Sequence, residues 1–89
     1  MEPDFEKLRL LLEQNNTFPM VYWFKIIVPD NLQKIARVEH LFSEDAEIER
    51  KSSSKGNYLS ISAKQVVLNA EEVLIVYKKA SEIEGAIIL

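Results

Sequence analysis

Residues 18–28, Phe-Pro-Met-Val-Tyr-Trp-Phe-Lys-Ile-Ile-Val, carry one charge, Lys25, in an otherwise nearly unbroken apolar stretch. The stretch is far shorter than the ~20 residues that span a bilayer. Its β-branched and aromatic content, with Pro19 at its start, reads as a strand. Tyr22, Phe24, Ile26 and Val28 then share one face, and Val21, Trp23, Lys25 and Ile27 the other. Apolarity on both faces predicts a central strand covered at least partly on each side, with Lys25 marking the face nearer solvent.

The rest of the 89-residue chain arranges itself around that strand. Asp4 to Gln14 reads as a helix capped by Asp4, with Phe5, Leu8 and Leu12 on one face and Leu11 beside them. Pro29-Asp30-Asn31 stops the strand, and Leu32, Ile35, Ala36, Val38, Leu41 and Phe42 form a helical stripe ended by Glu44-Asp45. Ala46 and Ile48 alternate with Glu47 and Glu49, and Leu59, Ile61 and Ala63 alternate with Tyr58, Ser60, Ser62 and Lys64. The two segments read as a hairpin around Ser52–Asn57. Placing Ile48 and Ile61 on the same core requires an even number of loop residues. Val66 and Leu68 shift the apolar phase, which suggests a bulge or a strand end near Gln65. Asn69 with Glu72 has the form of a capping box, ahead of a stripe of Val73, Val76, Tyr77, Ala80 and Ile83. Gly85 serves a turn, and residues 86–89 form a terminal strand.

The order is helix, then β-α-β-β-α-β. This predicts an α+β fold of ferredoxin-like type: a four-stranded antiparallel sheet with two helices on one face and an extra N-terminal helix. The length leaves room for one domain, residues 1–89, with the helix at 4–14 and the βαββαβ core at 18–89.

Composition excludes several kinds of chemistry. The chain has no Cys, one His (His40) and two Gly, so disulfides, thiolate or multi-His metal sites and glycine-rich phosphate loops are unavailable to it. No metal and no cofactor are expected. The N-terminus is acidic and lacks the features of a signal peptide, so a cytoplasmic, non-membrane protein is expected. His40 reads as a helix-end residue, and nothing in the spacing makes a triad with Ser52–Ser54 or a catalytic carboxylate pair.

The turn is the most unusual segment. Arg50, Lys51, Lys55 and Lys64 are basic with no acid among residues 50–64, directly after the acidic block Glu44, Asp45, Glu47 and Glu49. Ser53, Ser54, Lys55, Gly56, Asn57 and Tyr58 are candidates for an anion or partner site. Gly56 and the local hydrogen bonds of its polar neighbours also account for the same residues as plain turn chemistry. Trp23, Lys25 and Lys64 join them as candidates on the outer sheet face. An aromatic, basic sheet face raises RNA binding of the RNA-recognition-motif type as an alternative, but Asn57, Leu59 and Ser62 stand where that signature has aromatics, and the net charge of −3 opposes it. Cover for Trp23 and Ile27 is expected from the N-terminal helix or from a second copy of the chain.

The run Ser52-Ser53-Ser54-Lys55-Gly56-Asn57-Tyr58 and the alternation after it resemble the YbeD-like family of small bacterial proteins of unknown function. Phe18-Pro19, Phe24-Lys25, the last helix and the apolar C-terminus match as well, so the resemblance runs over residues 5–89. It implies a ferredoxin-like fold similar to ACT regulatory domains, which bind small molecules at strand-to-helix loops and dimer interfaces, and no assigned enzyme activity. Val28-Pro29 departs from the family, where a Gly often follows the first strand. The reading is a non-enzymatic regulatory or adapter domain acting through a protein partner or small ligand, with a homodimer as its concrete form.

Overall fold

The computed structural model describes residues 4–89. The first three positions of the expected domain, and the leader reading of the N-terminus that includes them, lie outside the described residues. The elements are α1 (Phe5–Asn15), β1 (Met20–Pro29), α2 (Leu32–Glu39), β2 (Glu47–Ser52), β3 (Tyr58–Val67), α3 (Ala70–Ser81) and β4 (Ile87–Ile88).

The four strands form one antiparallel sheet in the order β2-β3-β1-β4, with the helices on one face. This is the ferredoxin-like topology with an N-terminal helix added. The two strands richest in apolar residues, β1 and β3, are central. They pair along their full lengths from Met20↔Val67 to Pro29↔Tyr58.

Alternation decides which residues meet the helices. Phe24, Ile26 and Val28 from β1 and Leu59, Ile61, Ala63 and Val67 from β3 are buried on the helical side. Ile35 and Val38 of α2 and Val73, Val76, Tyr77 and Ala80 of α3 close over them. Phe24 is the aromatic centre, with ring centroids 4.7 Å from Tyr22, 5.4 Å from Phe42 and 5.5 Å from Tyr77. The T-shaped geometry at Tyr22 and Tyr77 suits the ring quadrupoles.

The helix starts follow the expected chemistry. Asp4 accepts from Lys7 N–H, Asn31 from Lys34 N–H and Asn69 from Glu72 N–H, so one otherwise orphaned donor of each helix is satisfied. The capping box of α3 is displaced by one residue: Glu72 accepts from Leu68 N–H at 2.7 Å, one residue ahead of the cap.

Several expectations need correction. α1 buries Leu12 and packs Phe5 and Leu8 against the core, but Leu11 is exposed, because α1 lies beside α3 and turns only one of its faces inward. α2 ends at Glu39, and Leu41 and Phe42 follow in a tight turn, with Leu41 N–H donating to Val38 and Phe42 N–H to Glu39. Leu32 and Ala36 of its supposed stripe face solvent.

There is no bulge at Gln65, since the β1–β3 register runs unbroken through it. What changes is that β2 stops pairing at Lys64, and Val66 and Leu68 are left exposed. β2 is exposed along its whole length and is wet on both faces. The hairpin parity does hold, with six residues between the paired Ser52 and Leu59. The terminal strand shrinks to Ile87–Ile88. None of the described helices covers the outer face of β1, because α1 joins the others on the opposite side.

Candidate functional site

The outer face of the sheet is built by parity. It presents Val21, Trp23, Lys25 and Ile27 from β1 against Val66, Lys64, Ser62 and Ser60 from β3, pair by pair. β2 adds Glu47 opposite Lys64, Glu49 opposite Ser62 and Lys51 opposite Ser60. At the hairpin end Tyr58 stands opposite Pro29.

Trp23 is 70% exposed. Lys64 Nζ lies 5.3 Å from its ring centroid, a cation–π contact that an exposed site makes worth about 0.5–1 kcal/mol. Around this pair the face is apolar and acidic. Val21, Val66 and Leu68 line the floor of an open cleft of about 450 Å³, with Asp45, Glu47 and Glu72 among its other lining residues. Gln65 accepts from Ser43 N–H at 2.9 Å, which holds the connection carrying Asp45 in place.

The hairpin end has the opposite character. Lys25, Lys51, Ser53, Ser54, Tyr58 and Ser60 are among the residues that line an open depression of about 280 Å³. A second, of about 230 Å³, shares Ser53, Ser54 and Tyr58 with it and adds Lys55 and Asn57. Among the described residues, neither has a carboxylate in its wall.

The turn itself is fixed by its backbone. Ser53 N–H donates to Tyr58 O at 2.9 Å, Gly56 N–H donates to Ser53 O at 3.0 Å, and Tyr58 N–H donates to Ser53 Oγ at 3.3 Å. Asp30 N–H donates to Asn57 O at 3.0 Å and ties the hairpin to the β1–α2 connection. Gly56 has φ +73°, where a side chain is strained, although open space surrounds it.

The nine candidate residues therefore separate into two groups. Trp23 and Lys64 stand at one end of the face. Lys25, Ser53, Ser54, Tyr58, Lys55 and Asn57 gather at the other, and Gly56 shapes their turn. Ser60, which alternation already places on the outer face, joins the second group together with Lys51, and Val66 and Leu68 join the first. Period-two parity was the signal for Lys51, Ser60 and Val66. For Val66 it was masked by the expected bulge.

The basic segment is also divided between the two sides of the sheet. Arg50 turns to the helical side and makes a bidentate pair with Glu39 of α2. Hydrogen bonding from Arg50 holds the Glu39 carboxyl below the usual carboxylate range and raises the arginine in turn. The other ion pairs join Arg9 to Glu71 and Glu6 on the helices. Lys25, Lys51, Lys55 and Lys64 have no such partner among the described residues. Tyr77 is buried and hydrogen-bonded to Tyr22 at 3.1 Å. Burial first, and that bond second, push its hydroxyl well above the ordinary phenol range. His40 is the C-cap of α2.

Among the described residues, no cluster of three or more His, Cys, Asp and Glu is arranged to hold a metal ion. No described helix is long and apolar enough to cross a membrane. No curated protein and no solved structure matches the chain. A family model described as "Protein of unknown function (DUF493)" matches residues 13–89, which takes in the end of α1 and every element from β1 to β4. The chain belongs to that family, the YbeD-like one that its turn and first strand resemble.

Proposed function

We propose that this domain is a non-catalytic regulatory module that works by binding on its outer sheet face, with two copies meeting at the Trp23 end. The observation that carries the reading is Trp23 itself, 70% exposed beside Val21 and Val66 on a face without a helix over it. A contiguous exposed apolar patch of this kind marks an interaction surface more often than a plain surface.

A second copy suits the patch because Lys64 and Glu47 are direct neighbours of opposite sign. A two-fold operator sets a lysine against a glutamate in both directions.

RNA binding is less well supported. Leu59 is buried on the helical side, Glu47 and Glu49 share the outer face with Lys64 and Lys25, and Asn57 is held in the turn. A cytoplasmic place of action and the likeness to ACT regulatory domains belong to the same proposal and rest on the sequence.

Sedimentation equilibrium tests it. The chain should run at twice 10.3 kDa, and Trp23→Glu should return it to 10.3 kDa with an unchanged circular dichroism spectrum. A wild-type chain that stays at 10.3 kDa at high concentration removes the pairing.

A further inference from the structure

The hairpin end of the outer face is the part that the pairing at Trp23 does not use. We infer that it binds the phosphate group of a small organic phosphomonoester, held between Lys25 and Lys51 over Ser60. The inference deepens the regulatory reading by naming a ligand class, and it rests on that reading only in taking this face as the working surface.

Charge comes first. Lys25 and Lys51 belong to the two strands that flank β3, on the same face, one row apart along the strands. Sheet spacing puts their Cα atoms about 12 Å apart, within the combined reach of two flexible lysine stems. Neither has an ion-pair partner among the described residues. The nearest carboxylate on this face by register is Glu49, across β3 from Lys25 in the Ser62 row and one row from Lys51 along β2, and it makes an ion pair with neither lysine. Two ammonium groups drawn toward one point repel each other, and a dianion there relieves that repulsion.

Hydrogen bonding narrows the ligand. Ser53 Oγ already accepts from Tyr58 N–H, so its proton is left to donate outward into the depression. Ser54 and Ser60 line the same depression, and their hydroxyls make no hydrogen bond among the described residues. Among the described residues the wall therefore offers donors and cations with no acceptor carboxylate. A phosphomonoester brings three terminal oxygens and a charge of about −1.5 to −2 at neutral pH, which answers both lysines and the hydroxyls together. A carboxylate has two oxygens and one charge, and would leave one lysine unanswered.

The organic part follows from the remaining wall. Ile27 and the half-exposed Tyr58 ring are also in the lining, so a flat apolar body beside the phosphate has a surface to lie on. The depression of about 280 Å³ suits a small molecule.

The test is an amide-shift titration of the full ¹⁵N-labelled chain with phenyl phosphate, inorganic phosphate and a single-stranded RNA octamer, all at fixed ionic strength. Phenyl phosphate should give saturable shifts at Ser53, Ser54, Tyr58 and Ser60. Inorganic phosphate should move the same amides more weakly. Lys25→Gln combined with Lys51→Gln should weaken phenyl phosphate at least about tenfold.

Three results overturn the inference: no saturable shift at millimolar phenyl phosphate, full affinity in the double variant, or RNA binding more tightly than phenyl phosphate with shifts that run on to Trp23. The third result gives the face to nucleic acid. Repeating the titration on Trp23→Glu separates the two readings. Shifts kept in the monomeric variant retain the ligand and show that its binding does not need the pairing, and a wild-type dimer without shifts retains the pairing and removes the ligand.

Discussion

Gly85 is packed so closely under Pro29 that a Cβ at position 85 would stand 2.8 Å from Pro29 Cγ. The ring that ends β1 and the turn that precedes β4 thus fit each other, and φ +84° at Gly85 excludes an ordinary side chain on conformational grounds as well. We predict that Gly85→Ala costs about 2–3 kcal/mol in urea unfolding, combining positive-φ strain with the clash. Gly56→Ala, with similar φ and open surroundings, should cost only about 1–2 kcal/mol. Gly85→Ala in a Pro29→Ala background should recover the clash component and leave the strain. Equal losses at the two glycines would show that the packing at Pro29 contributes nothing.

Phe24 is fully buried with three aromatic neighbours, so Phe24→Ala should destabilise the domain by about 3–5 kcal/mol. Its neighbour on the other face of the same strand behaves differently. At concentrations too low for pairing, Trp23→Ala should change the stability of the single domain by no more than about 1 kcal/mol, since within the chain only the Lys64 contact is lost. Chemical denaturation of the two variants reads the contrast directly.

Acid should loosen the link between α2 and β2. Glu39 has its folded pKa depressed by Arg50, so the stability it adds is present above its ordinary value near 4.5 and is lost as pH falls through the lower folded value. Glu39→Gln should remove this part of the acid sensitivity while leaving stability at pH 7 somewhat lower. Denaturation midpoints of wild type and variant between pH 7 and pH 3 should converge on the acid side.

Alkali acts through Tyr77. Its folded pKa lies above the unfolded value near 10, so its contribution is complete below pH 10 and declines as pH rises beyond it. Tyr77→Phe should lose about 0.5–1.5 kcal/mol at neutral pH through the bond to Tyr22 and should flatten the alkaline decline. Thermal melts between pH 8 and pH 11 measure both effects.

The cap of α3 offers a further check. Asn69→Ala should cost about 1 kcal/mol, because Glu72 N–H loses its acceptor. Glu72→Ala should cost less, since Leu68 N–H lies at an exposed position where water replaces the carboxylate.

The sequence carried the sheet well. Phe24, Ile26 and Val28 could be placed on the core face because alternation is a local property of a strand. Asp4 and Asn69 could be named as caps because the cap chemistry is equally local. What escaped was non-local. Nothing near Trp23 says that α1 settles beside α3, where Arg9 meets Glu71, and leaves the other face open. Leu32 is apolar and helical in spacing, yet 84% exposed at the first position of α2. The alternation read in the sequence for β2 stops at Glu49, so it does not separate Arg50 and Lys51, adjacent in the chain, onto opposite sides of the sheet. Lys51 and Ser60 become neighbours only once the register is known.

With all the helices on one side, β1 and β3 carry two independent messages in alternate letters. Even positions of β1 and odd positions of β3 are committed to folding. The intervening letters, from Val21 to Ile27 and from Tyr58 to Val66, bear little of that burden. Such a chain is free to change what it recognises by substitution at every second residue of two strands, without disturbing how it folds.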